Sequence, residues 1–416
     1  MRDFLPADKA QREHVLSVIR RTFRAHGFDE IETPVVEDSA RLHAGLGGDN
    51  EKLSYAVMKR DIKQDALEQA AASGDSLELA DLGLRFDLTV PLARFYASHR
   101  AELPTVFRAI QIAPVWRAER PQKGRYRQFV QCDIDIIGEA GPLAEIELIT
   151  ATAATLEALG FTGTNACTIR INDRRILRRI VETLGIPDAH YERALITIDK
   201  EDKIGVEGVV KELVEQGLGD EVELALVLDS LSTLAGDGWE LIDSPPAWLD
   251  LDAYRELLAI RDAADDSARL VFSPNLVRGM GYYTGTIFEI SHPDLPYSLG
   301  GGGRYDGMIG RFLGTEVPAA GFSLGFERMV ELVDLPDDKA ANALALVYDA
   351  DVPAAQLAAL KSHLIATGVR TTLARKTKNT TALLDQLAST GYPRFAFVDT
   401  STVSADQLEI RNIGAQ

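Results

Sequence analysis

Residues 116–138 read WRAERPQKGRYRQFVQCDIDIIG, and the two halves of this stretch follow different rules. The first half sets Arg117, Arg120, Lys123, Arg125 and Arg127 around one acid, Glu119, in a chain whose formal net charge is -19. Like charges gathered around Pro121 and Gly124 repel one another unless anions or solvent absorb the field, so this half predicts a loop rather than a core element. A solvated hairpin would satisfy that pattern. So would a polyanion site, because arginine's planar fork grips phosphate at two points and lysine adds a point charge, which suits a triphosphate or an RNA backbone. Trp116, Tyr126 and Phe129 add aromatic faces on which a base can stack.

The second half alternates. Val130, Cys132, Ile134 and Ile136 point one way and Gln131, Asp133 and Asp135 the other, which predicts a strand with a core face and a polar floor.

Outward from this strand, GPLAEIELITATAATLEALG predicts a helix with Leu143, Ile146, Ile149, Ala153 and Leu156 on one stripe, closed by Gly160. Upstream, LGLRFDLTVPLARFYASH predicts a strand in which Phe86, Leu88 and Val90 alternate with Asp87 and Thr89, turning into a helix at Pro91. Near the start, Val15, Ile19 and Phe23 recur at four-residue spacing in a helix that stops at Gly27, and FDEIETPVVED follows as a strand ending in Pro34.

Residues from about 174 to 265 are charged and helix-patterned, and they predict a helical insertion. Strand signals and glycines return in LVRGMGYYTGTIFEI, SLGGGGRYDG and GFSLGFERM. The fold class expected is therefore α+β, an antiparallel sheet flanked by helices, in a first domain over 1–336. LVDLPDDKAAN reads as a linker, and residues 340–416 alternate strand and helix as a small α/β domain.

The bulk numbers bound the function. With 416 residues and 46% hydrophobic content the chain can build two or three cored domains. No apolar run approaches the roughly 20 residues that span a bilayer, and the first residues lack a hydrophobic signal region, so a cytoplasmic protein is expected. The two cysteines, Cys132 and Cys167, form no metal-binding or disulfide pattern and read as core residues. An acidic body repels nucleic acid, so any polyanion must be met by local patches. Residues 340–416 carry seven Lys and Arg against six Asp and Glu, a net of +1, which makes the C-terminal domain the better candidate for RNA contact.

Three glycine-bearing stretches complete the pattern. Gly300 to Gly303 free the backbone to approach a ligand beside Arg304 and Tyr305, and the spacing is neither a phosphate loop nor a dinucleotide fingerprint. Arg278 precedes the pair Tyr282 and Tyr283, of which an extended chain would aim only one into a given pocket. Arg328 sits where a strand-like run meets a helix start.

Taken in order, RDFLP, LRFDLTVP, WRAERPQKGRYRQFVQCDIDIIG, LVRGMGYYTGTIFEI, GGGGRYDG and GFSLGFERM resemble the histidyl-tRNA synthetase family of class II aminoacyl-tRNA synthetases, over nearly the whole chain. The resemblance implies a class II catalytic domain with an anticodon-binding domain behind it. It implies a ligase that joins L-histidine to ATP as histidyl-adenylate, then passes the histidyl group to tRNA(His), with Mg2+ accompanying ATP. It further implies a homodimer, through the first helix and the strand after it.

By that resemblance Arg278, Arg117 and Arg328 are the catalytic arginines, and Arg117, Glu119, Arg125, Phe129 and Arg328 hold ATP. Asp87, Thr89 and Gln131 serve the α-amino end of histidine, Arg117 holds its carboxylate and the α-phosphate, and Leu88 and Arg278 also belong to the histidine-binding set. Asp135, Tyr282, Tyr283 and Tyr305 serve the imidazole side. Arg120, Gln122 and Lys123 reach the acceptor end of tRNA, and Arg370, Arg375, Lys376 and Lys378 its anticodon region. No protein ligand for the metal is assigned. Gly281 departs from the polar residue many relatives carry there, and the chain ends soon after LEIRNIG. A noncatalytic synthetase-like regulatory subunit of histidine biosynthesis is the alternative, but such chains typically lose the Arg278 and tyrosine segment and the C-terminal domain, both kept here.

Overall fold

A computed structural model describes residues 1–43, 54–120, 126–232, 234, 237–264, 268–278, 281–333 and 342–414. Residues 334–341 of the expected linker and the centre of the basic loop, residues 121–125, lie outside them. Backbone packing divides the chain into Met1–Arg2 with Val15–Val333, and Asp3–His14 with Asp334–Gln416.

In the first unit the strands in chain order are β1 (Asp29–Glu30), β2 (Val36–Asp38), β3 (Tyr55–Met58), β4 (Ala80–Leu84), β5 (Phe107–Trp116) and β6 (Gln128–Ile137). They continue with β7 (Thr168–Asp173), β8 (Leu270–Phe272), β9 (Thr286–Ser291), β10 (Gly300–Arg304) and β11 (Ala319–Leu324). Eight form one sheet in the order β1-β5-β6-β11-β10-β9-β7-β8, antiparallel except where β1 meets β5 and β7 meets β8. The remaining three make a small antiparallel sheet, β2-β4-β3. The expected antiparallel sheet flanked by helices is thus present.

The alternation read in residues 130–136 holds: Cys132, Ile134 and Ile136 are fully buried on the core face. The helix Leu143–Ala158 packs against β6 and β11, but its expected stripe is corrected at one end. Leu143 is 47% exposed, and Glu145 is buried in its place, because Arg304 grips it with two nitrogens at 2.6 and 2.7 Å. A paired, fully bonded charge can be buried where an isolated one cannot.

Three other expectations change. The strand over LGLRFDLTVP ends at Leu84, and a helix, Thr89–His99, begins before Pro91. Asp87 accepts the Val90 N–H at 3.3 Å, a local bond that competes with a ladder, and Pro91 is tolerated in a first turn where its missing donor is not needed. Phe86, Leu88 and Val90 are nonetheless all buried, so the apolar signal was real but came from a turn. FDEIETPVVED splits into β1 and β2 around Pro34, whose carbonyl and that of Thr33 are taken by the Arg85 side chain rather than by a strand. The four glycines, read only as backbone free to approach a ligand, form the central strand β10.

Between residues 174 and 263 the described residues hold the helices Arg174–Thr183, Tyr191–Ile198, Glu201–Glu215, Glu221–Ser232 and Leu251–Ala263. The first and last of these pack on β7. Cys132 and Cys167 are both buried, and burial pushes the Cys167 thiol up to about 12.

The second unit holds β12 (Ala343–Tyr348), β13 (Arg370–Arg375), β14 (Arg394–Val398) and the two-residue β15 (Arg411–Asn412), in the order β13-β12-β14-β15. The first three are parallel, so both faces of β12 are covered. Leu344 and Leu346 pack with Leu357, Leu360 and Leu364 of the helix Ala354–Ala366, while Ala345 and Val347 pack with Leu387 of the helix Thr380–Ser389.

Candidate active site

A cavity of about 280 Å³ opens on the polar face of β6, β11 and β10 in the first unit. Arg117, Arg278 and Arg328, far apart in sequence, all line it. Each is held from behind. Arg117 leaves the end of β5 and donates Nε to the Phe86 carbonyl at 2.9 Å, and its guanidinium lies 5.0 Å from the Phe129 ring centre. Arg278 donates to Glu289 Oε2 at 2.8 Å. Arg328, in the helix Phe326–Val330, donates to the Ser298 carbonyl and stacks on Tyr297 at 4.8 Å.

Glycine makes the close approaches possible. A Cβ on Gly301 would meet the Arg278 guanidinium at 2.7 Å, and one on Gly302 would meet the Gly321 carbonyl oxygen at 1.9 Å. The tetraglycine strand is therefore a slot cut in the sheet beneath Arg278.

The same lining holds buried acids. Asp87, Gln131, Asp133 and Asp135 are buried in the lining. Burial raises Asp87 to about 6 against the pull of Arg117, and raises Asp133 to about 7 despite hydrogen bonds from Ser323 and Gln131. Asp135 is pushed well above the carboxylate range by burial and by Asp133, although Tyr305 donates to it at 2.6 Å. Among the described residues, Asp87 Oδ2 and Gln131 Oε1 are buried without a hydrogen-bond partner.

Both members of the tyrosine pair line the cavity, which corrects the expectation of one. Tyr282 lies in a turn ahead of β9, so strand alternation does not govern the pair. The rings sit 4.7 Å apart, and Tyr282 stands edge-on to Tyr305 at 6.0 Å. Tyr282 is hydrogen-bonded to Thr89 as well as to Tyr283, and burial raises all three phenols.

A profile of the family described as Histidyl-tRNA synthetase matches residues 1–329. The chain belongs to the histidyl-tRNA synthetase family. It is 61% identical to the histidine–tRNA ligase of Leifsonia xyli subsp. xyli over 97% of this chain and 95% of that protein. It is 40% identical to the probable histidine–tRNA ligase of Tropheryma whipplei, over 96% and 94%. In fold it is similar to the crystal structure of histidyl-tRNA synthetase from Nostoc sp. PCC 7120, with a TM-score of 0.78, 24% identity and coverage of 99% and 93%.

Of the residues expected from the resemblance to this family, Asp87, Thr89, Arg117, Glu119, Phe129, Gln131, Asp135, Arg278, Tyr282, Tyr283, Tyr305 and Arg328 line the one cavity. Leu88 does not: its side chain is in the core, and its carbonyl accepts Gln111 Nε2 at 2.9 Å. Arg120 is exposed outside the lining, and Gln122, Lys123 and Arg125 fall outside the described residues. Arg370 and Arg375 begin and end β13 in the second unit, with Lys376 just beyond.

Several lining residues carry no distinctive signal in the sequence. Asp133 was visible on the polar face of β6 but had no assigned part. Ser323 and Gly321 become neighbours of that face only through the β6–β11 pairing. Glu327 accepts the Val130 N–H at 3.2 Å and Arg2 at 2.8 Å, a closure across 325 residues that no local pattern signals.

Proposed function

We propose that this cavity joins L-histidine to ATP and that the chain then transfers the histidyl group to tRNA(His). The observation that carries the reading is the pairing of opposites in one space. Two buried acceptors without partners, Asp87 Oδ2 and Gln131 Oε1, face a lining that also holds three arginines. Unpartnered buried acceptors call for a donor, and arginines call for anions. A zwitterionic amino acid beside a nucleotide triphosphate supplies both.

In the first step a histidine carboxylate oxygen attacks the α-phosphorus, the bond to the bridging oxygen breaks, and pyrophosphate leaves with that electron pair. Negative charge concentrates between two anions, so fixed cations lower the barrier chiefly by electrostatics and by holding the reactants in line. Arg117 and Arg278 take the carboxylate and α-phosphate, Arg328 and Arg125 the remaining phosphates, and Phe129 and Glu119 the adenine. Asp87, Thr89 and Gln131 receive the α-ammonium group, with Leu88 fixed between the first two by Gln111. Asp135, tuned by Tyr305, receives an imidazole N–H, and Tyr282 and Tyr283 wall the ring.

Magnesium enters with ATP as the counter-ion of its phosphates. Among the described residues no cluster of three or more His, Cys, Asp or Glu is arranged to hold a metal. Phosphate oxygens and water would fill most of its coordination sphere, as this ion prefers, and no step here runs through it.

In the second step a terminal ribose hydroxyl of tRNA attacks the acyl carbon and AMP leaves. Arg120, Gln122 and Lys123 reach the acceptor end. Residues 1–336 act as the catalytic domain and 340–416 as the anticodon-binding domain, where Arg370, Arg375 and Lys376 meet RNA. The protein works as a homodimer in the cytoplasm; no described helix is long and apolar enough to cross a membrane. The test is ATP–pyrophosphate exchange with each of the twenty amino acids. Only histidine should support it, and exchange with another amino acid, or none, would overturn the reading.

A further inference from the structure

Strand pairing sets six residues in one row across the sheet: Gln111, Asp133, Ser323, Gly301, Glu289 and Arg170, one from each of β5, β6, β11, β10, β9 and β7. Residues directly opposite in a sheet project from the same face, so the row runs beneath the cavity and on past its edge. Asp133, Ser323 and Gly301 lie in the lining, and Glu289 lies one strand beyond it.

The gap at Gly301 is what lets Arg278 and Glu289 meet. With no side chain at 301, the guanidinium lies over β10, within 2.7 Å of where a Cβ would be, and donates to Glu289 on the next strand at 2.8 Å. Glu289 has an anchor of its own. Its second oxygen is 3.8 Å from Arg170, which is bonded in turn to Ser273 at 3.1 Å and Asn275 at 3.2 Å. The segment leading to Arg278 is pinned as well, because Asn172 donates to the carbonyls of Pro274 and Leu276 at 2.9 and 3.1 Å. One terminal nitrogen of Arg278 is committed to Glu289, out of a fork that carries five N–H donors.

We propose that Glu289 is a positioning residue for the adenylation step, holding the Arg278 guanidinium over Gly301 in the orientation in which it meets the α-phosphate. The inference rests on the reading of the cavity as a histidine-activating site. A long arginine side chain has several rotatable bonds and samples many rotamers when nothing holds it. A carboxylate braced by Arg170 removes that freedom before the substrates arrive, so the cation need not be reoriented as charge develops. A pair that merely stabilised the fold would have no reason to lie across a slot cut for the arginine.

The test uses the full chain in histidine-dependent ATP–pyrophosphate exchange, with the wild type, Glu289→Ala, Glu289→Gln, Arg278→Ala and the double variant Arg278→Ala with Glu289→Ala. Glu289→Ala should lower kcat about 100-fold, with KM for histidine within about 2-fold of wild type. Glu289→Gln keeps an acceptor oxygen and the shape, so it should fold normally and lose about 10-fold. In the Arg278→Ala background, removing Glu289 should change exchange by less than about 2-fold, because the group it positions is gone. A wild-type kcat in both Glu289 variants would overturn the proposal. So would an equal fold loss in both backgrounds, the mark of a purely structural pair. An inactive wild type would instead defeat the histidine-activation reading on which the inference stands, and the two failures are told apart by that one control.

Discussion

Gly321 on β11 faces Asp135 on β6 so closely that a Cβ at 321 would lie 2.0 Å from Asp135 Oδ1, the oxygen that accepts the Tyr305 hydroxyl. The carboxylate proposed to meet the imidazole occupies space that only glycine leaves open. Gly321→Ala should therefore displace the tip of Asp135 rather than the sheet. We expect KM for histidine to rise by about 10-fold or more, with KM for ATP changed less than about 3-fold, since a misplaced buried acceptor costs about 1–3 kcal/mol. Asp135→Asn should show the same selectivity. Initial-rate exchange kinetics check both, and equal effects on the two substrates would count against the assignment.

The buried acids give a sign to the pH dependence. Asp133 titrates near 7 and Asp87 near 6 in the folded chain, both raised from 3.8 chiefly by burial. The native state then binds more protons than the unfolded chain between about pH 4 and 7, and stability falls as pH rises through that window. The stabilisation is complete below about pH 4 and lost once the folded groups ionise. Asp133→Asn cannot ionise, so its thermal midpoint should fall less from pH 5 to pH 8 and exceed that of the wild type at pH 8. Parallel midpoint curves would exclude Asp133 as a source of the slope.

How much of this was legible follows from where each signal resides. Period-two alternation in residues 130–136 belongs to β6 alone, so the polar floor of the cavity could be read directly from it. The C-terminal α/β unit was equally readable, because each of its helices and strands carries its own periodicity. Gly301 was not: four glycines look like a turn until β9 and β11 flank them, and only that pairing turns missing side chains into a slot for Arg278. Asp87 failed in a different way. Its apolar neighbours alternate as in a strand, but its own carboxylate caps the turn that ends the strand. Local hydrogen bonding overrode the pattern while leaving the burial it implied intact. The partner of Arg278 was invisible because Glu289 lies in β9, eleven residues on, and is just one of many acids in the chain.

Arg85, two residues before the lining residue Asp87, ties the segment between β1 and β2 to β5. The buried guanidinium donates to the carbonyls of Thr33 at 2.7 Å, Pro114 at 2.9 Å and Pro34 at 3.3 Å, none of which a nonpolar side chain could serve. Arg85→Met fills similar volume yet withdraws those donors from three carbonyls. We expect a loss of about 3–5 kcal/mol in unfolding free energy, within the range for breaking a buried charged network. Asp87 lies two residues on, so KM for histidine should rise as well. Urea unfolding of the full chain measures the first effect, and an unchanged midpoint would show that those carbonyls find other partners.

The second unit offers a separate test, because exchange needs no tRNA. Residues 340–416 carry a net charge of +1 in a chain of -19, and cations cluster where β13 ends. Lys376 is engaged with Asp349 at 3.0 Å and lies over Phe397 at 5.3 Å, whereas Arg375 and Lys378 stand exposed on either side of it. If this end meets the RNA backbone, replacing Arg375 and Lys378 together by Ala should raise KM for tRNA about 10-fold while histidine-dependent exchange is unchanged. Each lost contact with single-stranded phosphate should also flatten the slope of log affinity against log salt by about 0.7, so the double variant should lose about 1.4. Aminoacylation measured across a salt series reads both quantities. A slope equal to that of the wild type would place the RNA elsewhere on the domain, even if KM moved.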